Sequence, residues 1–428
     1  MSRLELPQGG LQFIKTMVSR PFFVLLGGAG LAQLINLLSA PVLTRLYAPE
    51  AFGMLSLFAT SLAVLGSVAG GRYEQAVIGE SVDSFADRLV VLVALCSFGS
   101  VAILLILKPV IWPFFQIPAY ISDVLVYLIP AVIAYCVGQA LTNWLVRKGG
   151  FAITSSSKVI QAAIVLGASL CLVGLEQGLV VSSMIGYLAA LLMLLLGARR
   201  MGWLTGAIRP MDLVGLLKRH RRFPLFGGLP ALFDSLAALL PVYWVAIYFS
   251  ASDTGQFGLS RQVLAAPIAM LSLVVSQILM KRLVDAKASR ASMLPPLRRM
   301  ILVMWGPILV FSVLISVAAP ALFAWLFGEV WREAGSISRW MVWAYVAVML
   351  VAPFSAVLLV LRKVALNGAW QTLRCVGLLI LTSCIAYPTL ENFVQALVVF
   401  EILAYAAYAG LIAFALYDYE TGSRTQAG

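Results

Sequence analysis

In a chain that is 62% hydrophobic and 11% charged, the residues able to do chemistry are the few charges set inside apolar runs. Arg261 and Arg45 bring guanidiniums, each of which can hold a phosphate through two parallel hydrogen bonds. Asp234 brings a carboxylate which, once desolvated, has a raised pKa and can exchange a proton or hold a sodium ion. Burying such a charge costs at least about 2.5 to 3.5 kcal/mol on insertion scales, so a functional role is the default reading. Counted along ideal helices at 1.5 Å per residue, Asp234 lies about 28 Å from the turn near Asp253 and Arg261 only about 12 Å, so the two are not placed to neutralise each other. Arg374 and Glu401 are about 22 Å and 18 Å from the turn that joins their helices and are placed as a structural ion pair. Nearer the helix ends, Arg72 and Glu74 face Asp87 and Arg88 as a gating latch, and Lys158, beside Ser155, Ser156 and Ser157, can meet an incoming anion. Each has a plainer alternative: snorkelling or interfacial anchoring for Arg261, Arg45 and Lys158, a permanently protonated acid for Asp234, and solvated end charges for the latch. Covalent chemistry has little to draw on. His220 is the single histidine and sits in a cationic loop, no carboxylate pair occupies an outer loop, and the five cysteines lack CxxC spacing, so neither a catalytic centre, a metal site nor a disulfide framework is indicated.

These charges are carried by apolar runs of about 20 residues, the length a helix needs to cross roughly 30 Å of hydrocarbon, recurring from residue 21 to near the C-terminus of the 428-residue chain. About twelve spans result. Residues 1–20 form an N-terminal segment ahead of an uncleaved first helix, 21–198 a six-helix half, 199–222 a basic linker, 223–417 a second six-helix half, and 418–428 a tail. With the N-terminus inside, about 25 of the 30 Lys and Arg fall on the cytoplasmic side, leaving Arg45, Lys108, Arg261, Arg332 and Arg339. Both termini are then cytoplasmic, and the net charge of +12 reflects orientation, not nucleic-acid binding. Trp112, Trp144, Trp203, Trp325, Trp331 and Trp370 fall near span ends, where indole rings anchor at headgroups. Pro241 and Pro267 interrupt the seventh and eighth spans as hinge candidates. The halves echo each other: Pro21 precedes Phe52-Gly53 as Pro224 precedes Phe257-Gly258, the pattern of a parallel repeat.

Residues 44–53, TRLYAPEAFG, and 71–77, GRYEQAV, resemble the RLYxPExFG and RYExA motifs of the Wzx-type bacterial oligosaccharide flippases, polysaccharide transporters of the MATE-like (MOP) superfamily. The resemblance continues in 221–230, RRFPLFGGLP, in Pro241, in 255–267, GQFGLSRQVLAAP, and in 327–335, FGEVWREAG, and dissolves beyond about residue 365. One departure follows RYE, where Gln75, Gly79 and Glu80 replace an apolar stretch with Leu-Pro. The resemblance implies an all-α membrane protein of two six-helix bundles around a cavity that opens alternately to either side. It further implies export of undecaprenyl-diphosphate-linked glycan across the inner membrane for surface polysaccharide such as O-antigen, with membrane lipids and polysaccharide polymerase or assembly proteins as partners. No cofactor is implied beyond a coupling H+ or Na+, and no nucleic acid. A drug or cation antiporter of the same superfamily, a lipid II flippase, and a membrane-embedded glycosyltransferase or polymerase are the competing readings.

Overall fold

The computed structural model describes residues 20–114, 119–204, 210–289 and 292–425, and every regular element among them is helical. Twelve are long: α1 (Arg20–Leu46), α2 (Pro49–Ala69), α3 (Asp83–Phe114), α4 (Ala119–Arg147), α5 (Phe151–Cys171), α6 (Gly178–Arg200), α7 (Leu229–Tyr248), α8 (Ala251–Ala288), α9 (Leu294–Phe327), α10 (Arg332–Val351), α11 (Val364–Cys384) and α12 (Leu390–Thr425). Eleven described helices are long and apolar enough to cross a membrane. The remaining long helix, α8, has 38 residues, roughly 57 Å at 1.5 Å per residue. Short helices Glu74–Gly79 and Pro210–Arg219 flank the spans, and a wide helical turn, Phe223–Gly228, leads into α7. Arg3, Lys15, Arg209 and the side chains of Arg20 and Trp112 lie outside what is described.

Lipid solvent explains the uniformity, because a backbone group without water must be paired within its own segment. Local chemistry sets the ends. Ser250 and Asp253 form a reciprocal capping box that starts α8, and Gly328, with φ 111°, ends α9 in a conformation closed to other residues. Several sequence expectations need correction. α7 and α8 run through Pro241 and Pro267 without interruption, whereas the break falls after α10, at Ala352–Ser355, where Pro353 enters a tighter turn. The tail expected from residue 418 continues α12 to Thr425. Of the anchor tryptophans, Trp325 is exposed, but Trp144, Trp331 and Trp370 are buried, their indole N–H groups bonded to Asp87 and to the carbonyls of Thr44 and Ala404.

The chain forms two compact units, one of Met1–Leu43 with Ser61–Ala231, the other of Thr44–Thr60 with Leu232–Gly428. In the first, α6 packs on α4 and α5, and Gly186 admits Val165 so closely that a Cβ would meet it at 2.3 Å. In the second, α10 packs on α8, α9 and α12. The α1–α2 turn belongs to this second unit, and there several of the motif blocks converge. A Cβ on Gly255 would stand 1.8 Å from the Pro49 carbonyl, and one on Gly258 1.8 Å from the Ser56 hydroxyl, so α2 and α8 cross in backbone contact. Beside the crossing, Trp331 packs edge-on against Phe52, and Gln256 bonds the Val330 carbonyl and the Ala334 amide. The Phe-Gly echo of the two halves is thus the two sides of one helix crossing.

Candidate functional site

The polar interior of the second unit gathers on one face of α7. Asp234 and Ala238 are four residues apart and stack one above the other on that face. Arg374 of α11 lies between α7 and α12: its Nε and Nη2 donate to the two carboxylate oxygens of Glu401 at 3.0 and 2.7 Å, the fork geometry that suits a guanidinium. Its Nη1 points the other way and stands 3.8 Å from Asp234 Oδ1, an ion-pair distance longer than a hydrogen bond. Trp370 and Tyr405 place their rings 5.7 and 5.6 Å from the guanidinium carbon and fix its plane. Both members of the forked pair are largely covered, at 14% and 10% side-chain exposure, while Asp234 is 57% exposed.

One turn further along α7, Arg261 of α8 donates from Nη1 to the Ala238 carbonyl at 2.8 Å. That carbonyl is next to the one of Ala237, whose i+4 donor Pro241 removes, so Arg261 bonds the main chain beside the point where the proline disturbs the helix ladder. Phe257 lies under the guanidinium at 5.8 Å, and Tyr345 donates to the Arg261 carbonyl at 3.3 Å. Among the described residues no carboxylate pairs with Arg261. The sequence placed Arg374 with Glu401 and kept Asp234 from Arg261, but it did not place Arg374 against Asp234. The spacing of two carboxylates on α7 and α12 opposite one arginine on α11 was the available signal.

The other candidates are elsewhere. Arg45 is exposed and donates to the Trp325 carbonyl at 3.4 Å, at the motif-rich packing end of the second unit. Lys158 is exposed on α5. Arg72 adopts a left-handed backbone, φ 59°, directly after Gly71 at φ 65°, and its Nη1 lies 3.7 Å from Glu74. Burial pushes the Glu74 carboxyl above the ordinary range despite that neighbour. Asp87 accepts from the Trp144 indole at 2.7 Å and the Leu204 amide at 3.3 Å, and Arg88 lies over the Phe85 ring.

A second charged cluster in the first unit was not foreseen. Glu80, whose side chain is 1% exposed, accepts from His220 Nε2 at 3.1 Å and lies 3.5 Å from Arg219 Nη2. Arg147 donates to the Glu80 carbonyl and, with Lys148, pairs with Asp83. Burial opposes the charge on Glu80, but backbone donors, Arg219 and His220 outweigh it and hold its carboxyl below the usual range. The signal was the departure at Gly79-Glu80, an acid where the resembling family is apolar.

No protein-family model and no curated protein sequence matches the chain. Solved structures do. An inward-facing multidrug-resistance MATE transporter of the MOP superfamily superposes with TM-score 0.65 at 14% identity, covering 91% of this chain and 96% of its own. The lipid II flippase MurJ, in an inward closed conformation, gives TM-score 0.71 at 9% identity over 93% of this chain and 90% of its own. A MOP-superfamily transporter from Pyrococcus furiosus, described as having a binding pocket of reverse polarity, gives 0.55 at 16% identity over 94% of both. The chain therefore has the MATE/MOP fold, a multi-pass helical membrane architecture.

Proposed function

We propose that the chain flips undecaprenyl-diphosphate-linked oligosaccharide from the cytoplasmic to the periplasmic face of the bacterial inner membrane by alternating access, driven by a proton or sodium gradient. The observation that carries this reading is Arg261, a half-buried guanidinium on the long helix α8 that bonds the Ala238 carbonyl and the Tyr345 side chain and has no carboxylate partner among the described residues. An embedded cation without a carboxylate partner is expensive, and its retention is accounted for by an anion that visits. A diphosphate headgroup is such an anion, while its polyprenyl tail stays in lipid. The likeness in fold to a lipid II flippase supports a lipid-linked cargo. A cationic drug meets repulsion at the same place, which disfavours the antiporter reading.

The test is complementation. Deleting the gene, in a strain without a redundant carrier, is expected to abolish surface polysaccharide and to trap lipid-linked repeat units on the cytoplasmic face. Wild type restores export, Arg261→Lys restores part of it, and Arg261→Ala restores little at equal membrane abundance. Normal export in the deletion strain rejects the flippase reading.

A further inference from the structure

We infer that the edge shared by Asp234 and Arg374 is a sugar-hydroxyl subsite, one helical turn from Arg261, so that the second unit reads the first sugar of the cargo as well as its phosphate. The inference rests on the flippase reading and specifies how its cargo is recognised. Three features carry it. The Arg374 guanidinium is fixed by the Glu401 fork and by Trp370 and Tyr405, yet its Nη1 makes no hydrogen bond among the described residues. The facing carboxylate of Asp234 is 57% exposed and 3.8 Å from that nitrogen, too far for a direct hydrogen bond. The two groups belong to different helices, α7 and α11, and therefore hold a gap of set width.

An edge with a cation on one side and an anion on the other selects by charge. A metal ion is repelled by Arg374, and a phosphate is repelled by Asp234. A hydroxyl suits both, since it donates one hydrogen bond and accepts others: it can donate to Asp234 while it, or the neighbouring ring hydroxyl, accepts from Nη1. Adjacent hydroxyls on a pyranose present this pattern together. Arg261, bound to the Ala238 carbonyl one turn from Asp234, is about 6 Å along the helix axis, the spacing of a sugar ring from the phosphate that bears it.

The experiment measures binding to the purified full-length protein in detergent, with and without sodium. One probe is undecaprenyl diphosphate. The other is the lipid-linked oligosaccharide fraction extracted from cells that lack the protein. Wild type is expected to bind the glycan-bearing lipid more tightly. Asp234→Ala should lose about tenfold for that lipid, the worth of a hydrogen bond to a charged group. It should leave undecaprenyl diphosphate unchanged or slightly tighter, because a negative charge has gone. Asp234→Asn, which keeps one acceptor oxygen, should fall between. Equal losses for both lipids, no loss for either, or an effect confined to the sodium dependence overturns the subsite while leaving the flippase reading intact. If wild type binds neither lipid, the flippase reading fails and the subsite with it.

Discussion

Replacing Glu401 by Gln keeps the side chain's shape and one acceptor but removes the charge that neutralises Arg374. The guanidinium is 14% exposed and donates two hydrogen bonds to Glu401, at 2.7 and 3.0 Å. Breaking a covered ion pair by removing one partner typically costs about 3 to 5 kcal/mol, because the remaining charge is left without compensation. Asp234 cannot take over: it is 57% exposed and 3.8 Å away, the regime in which an ion pair contributes about 1 kcal/mol or less. The structure thus orders the variants. Glu401→Gln should lower the midpoint of thermal unfolding far more than Asp234→Asn, as followed by size-exclusion of the detergent-solubilised protein after heating. Arg374→Glu alone should be worse than either, since it sets three carboxylates together. The double reversal Arg374→Glu with Glu401→Arg should recover most of the loss, because both residues lie on the adjacent helices α11 and α12 with their contact intact. Equal stability of Glu401→Gln and wild type, or a double reversal no better than the single ones, refutes the assignment of this pair as the main structural charge contact of the second unit.

Gly255→Ala is predicted to reduce folded protein sharply, since its Cβ would fall 1.8 Å from the Pro49 carbonyl and α2 would have to move; overpacking costs roughly 1 to 3 kcal/mol or more, measurable as membrane yield and unfolding temperature. Trp331→Phe keeps the packing on Phe52 but leaves the Thr44 carbonyl without its 2.9 Å donor, a loss of about 1 to 3 kcal/mol read in the same assay. Glu80→Gln should speed tryptic cleavage after Arg221 or Arg222, because the Arg219 and His220 contacts that hold that segment weaken. Acid should loosen the same segment in wild type. The folded Glu80 carboxyl lies below its unfolded value near 4.3, so its contribution is complete above that value and is lost as pH falls through the folded one. Followed by amide hydrogen exchange, a wild-type protection that does not fall toward that of Glu80→Gln as pH drops from neutrality to well below the ordinary carboxylate range would contradict this.

Helix number, length and membrane class could be read directly, because a lipid-crossing helix must be apolar for about 20 residues whatever its neighbours. Polar contacts between helices could not, since hydrophobic length carries no rotational or pairwise information. Depth arithmetic brought Arg374 to Glu401 because adjacent helices share a turn and therefore a common origin. The same arithmetic missed Arg374 and Asp234, whose helices α7 and α11 are separated by three long helices in the chain and have no such origin. Pro241 and Pro267 misled for a related reason: in a buried helix neighbouring groups can satisfy the carbonyls that proline frees, so the helix continues. Trp144, Trp331 and Trp370 misled because an indole at a span end packs inward as readily as it anchors outward, and only the partner of its N–H decides. Thr44 and Ala404 carbonyls and the Asp87 carboxylate were those partners.

The blocks that carry the family resemblance turn out to do mostly packing. Gly53, Gly255 and Gly258 make the α2–α8 crossing, Gln256 and Trp331 tie the loop before α10 to it, and Arg45 bonds a main-chain carbonyl at the same end. Such residues specify a fold and leave the cargo open. Of the charged residues gathered against the polar face of α7, Arg261 falls inside a motif, whereas Asp234 and Arg374 lie outside all of them. A cargo-reading surface built this way can change without disturbing the crossing that holds the unit together. A chain that shares the glycine crossing and the Arg374–Glu401 pair but carries another residue at position 234 should therefore keep the architecture and prefer a different first sugar. Exchanging the side chain at position 234 between such chains, with Arg374 and Glu401 retained, should transfer sugar preference without transferring stability.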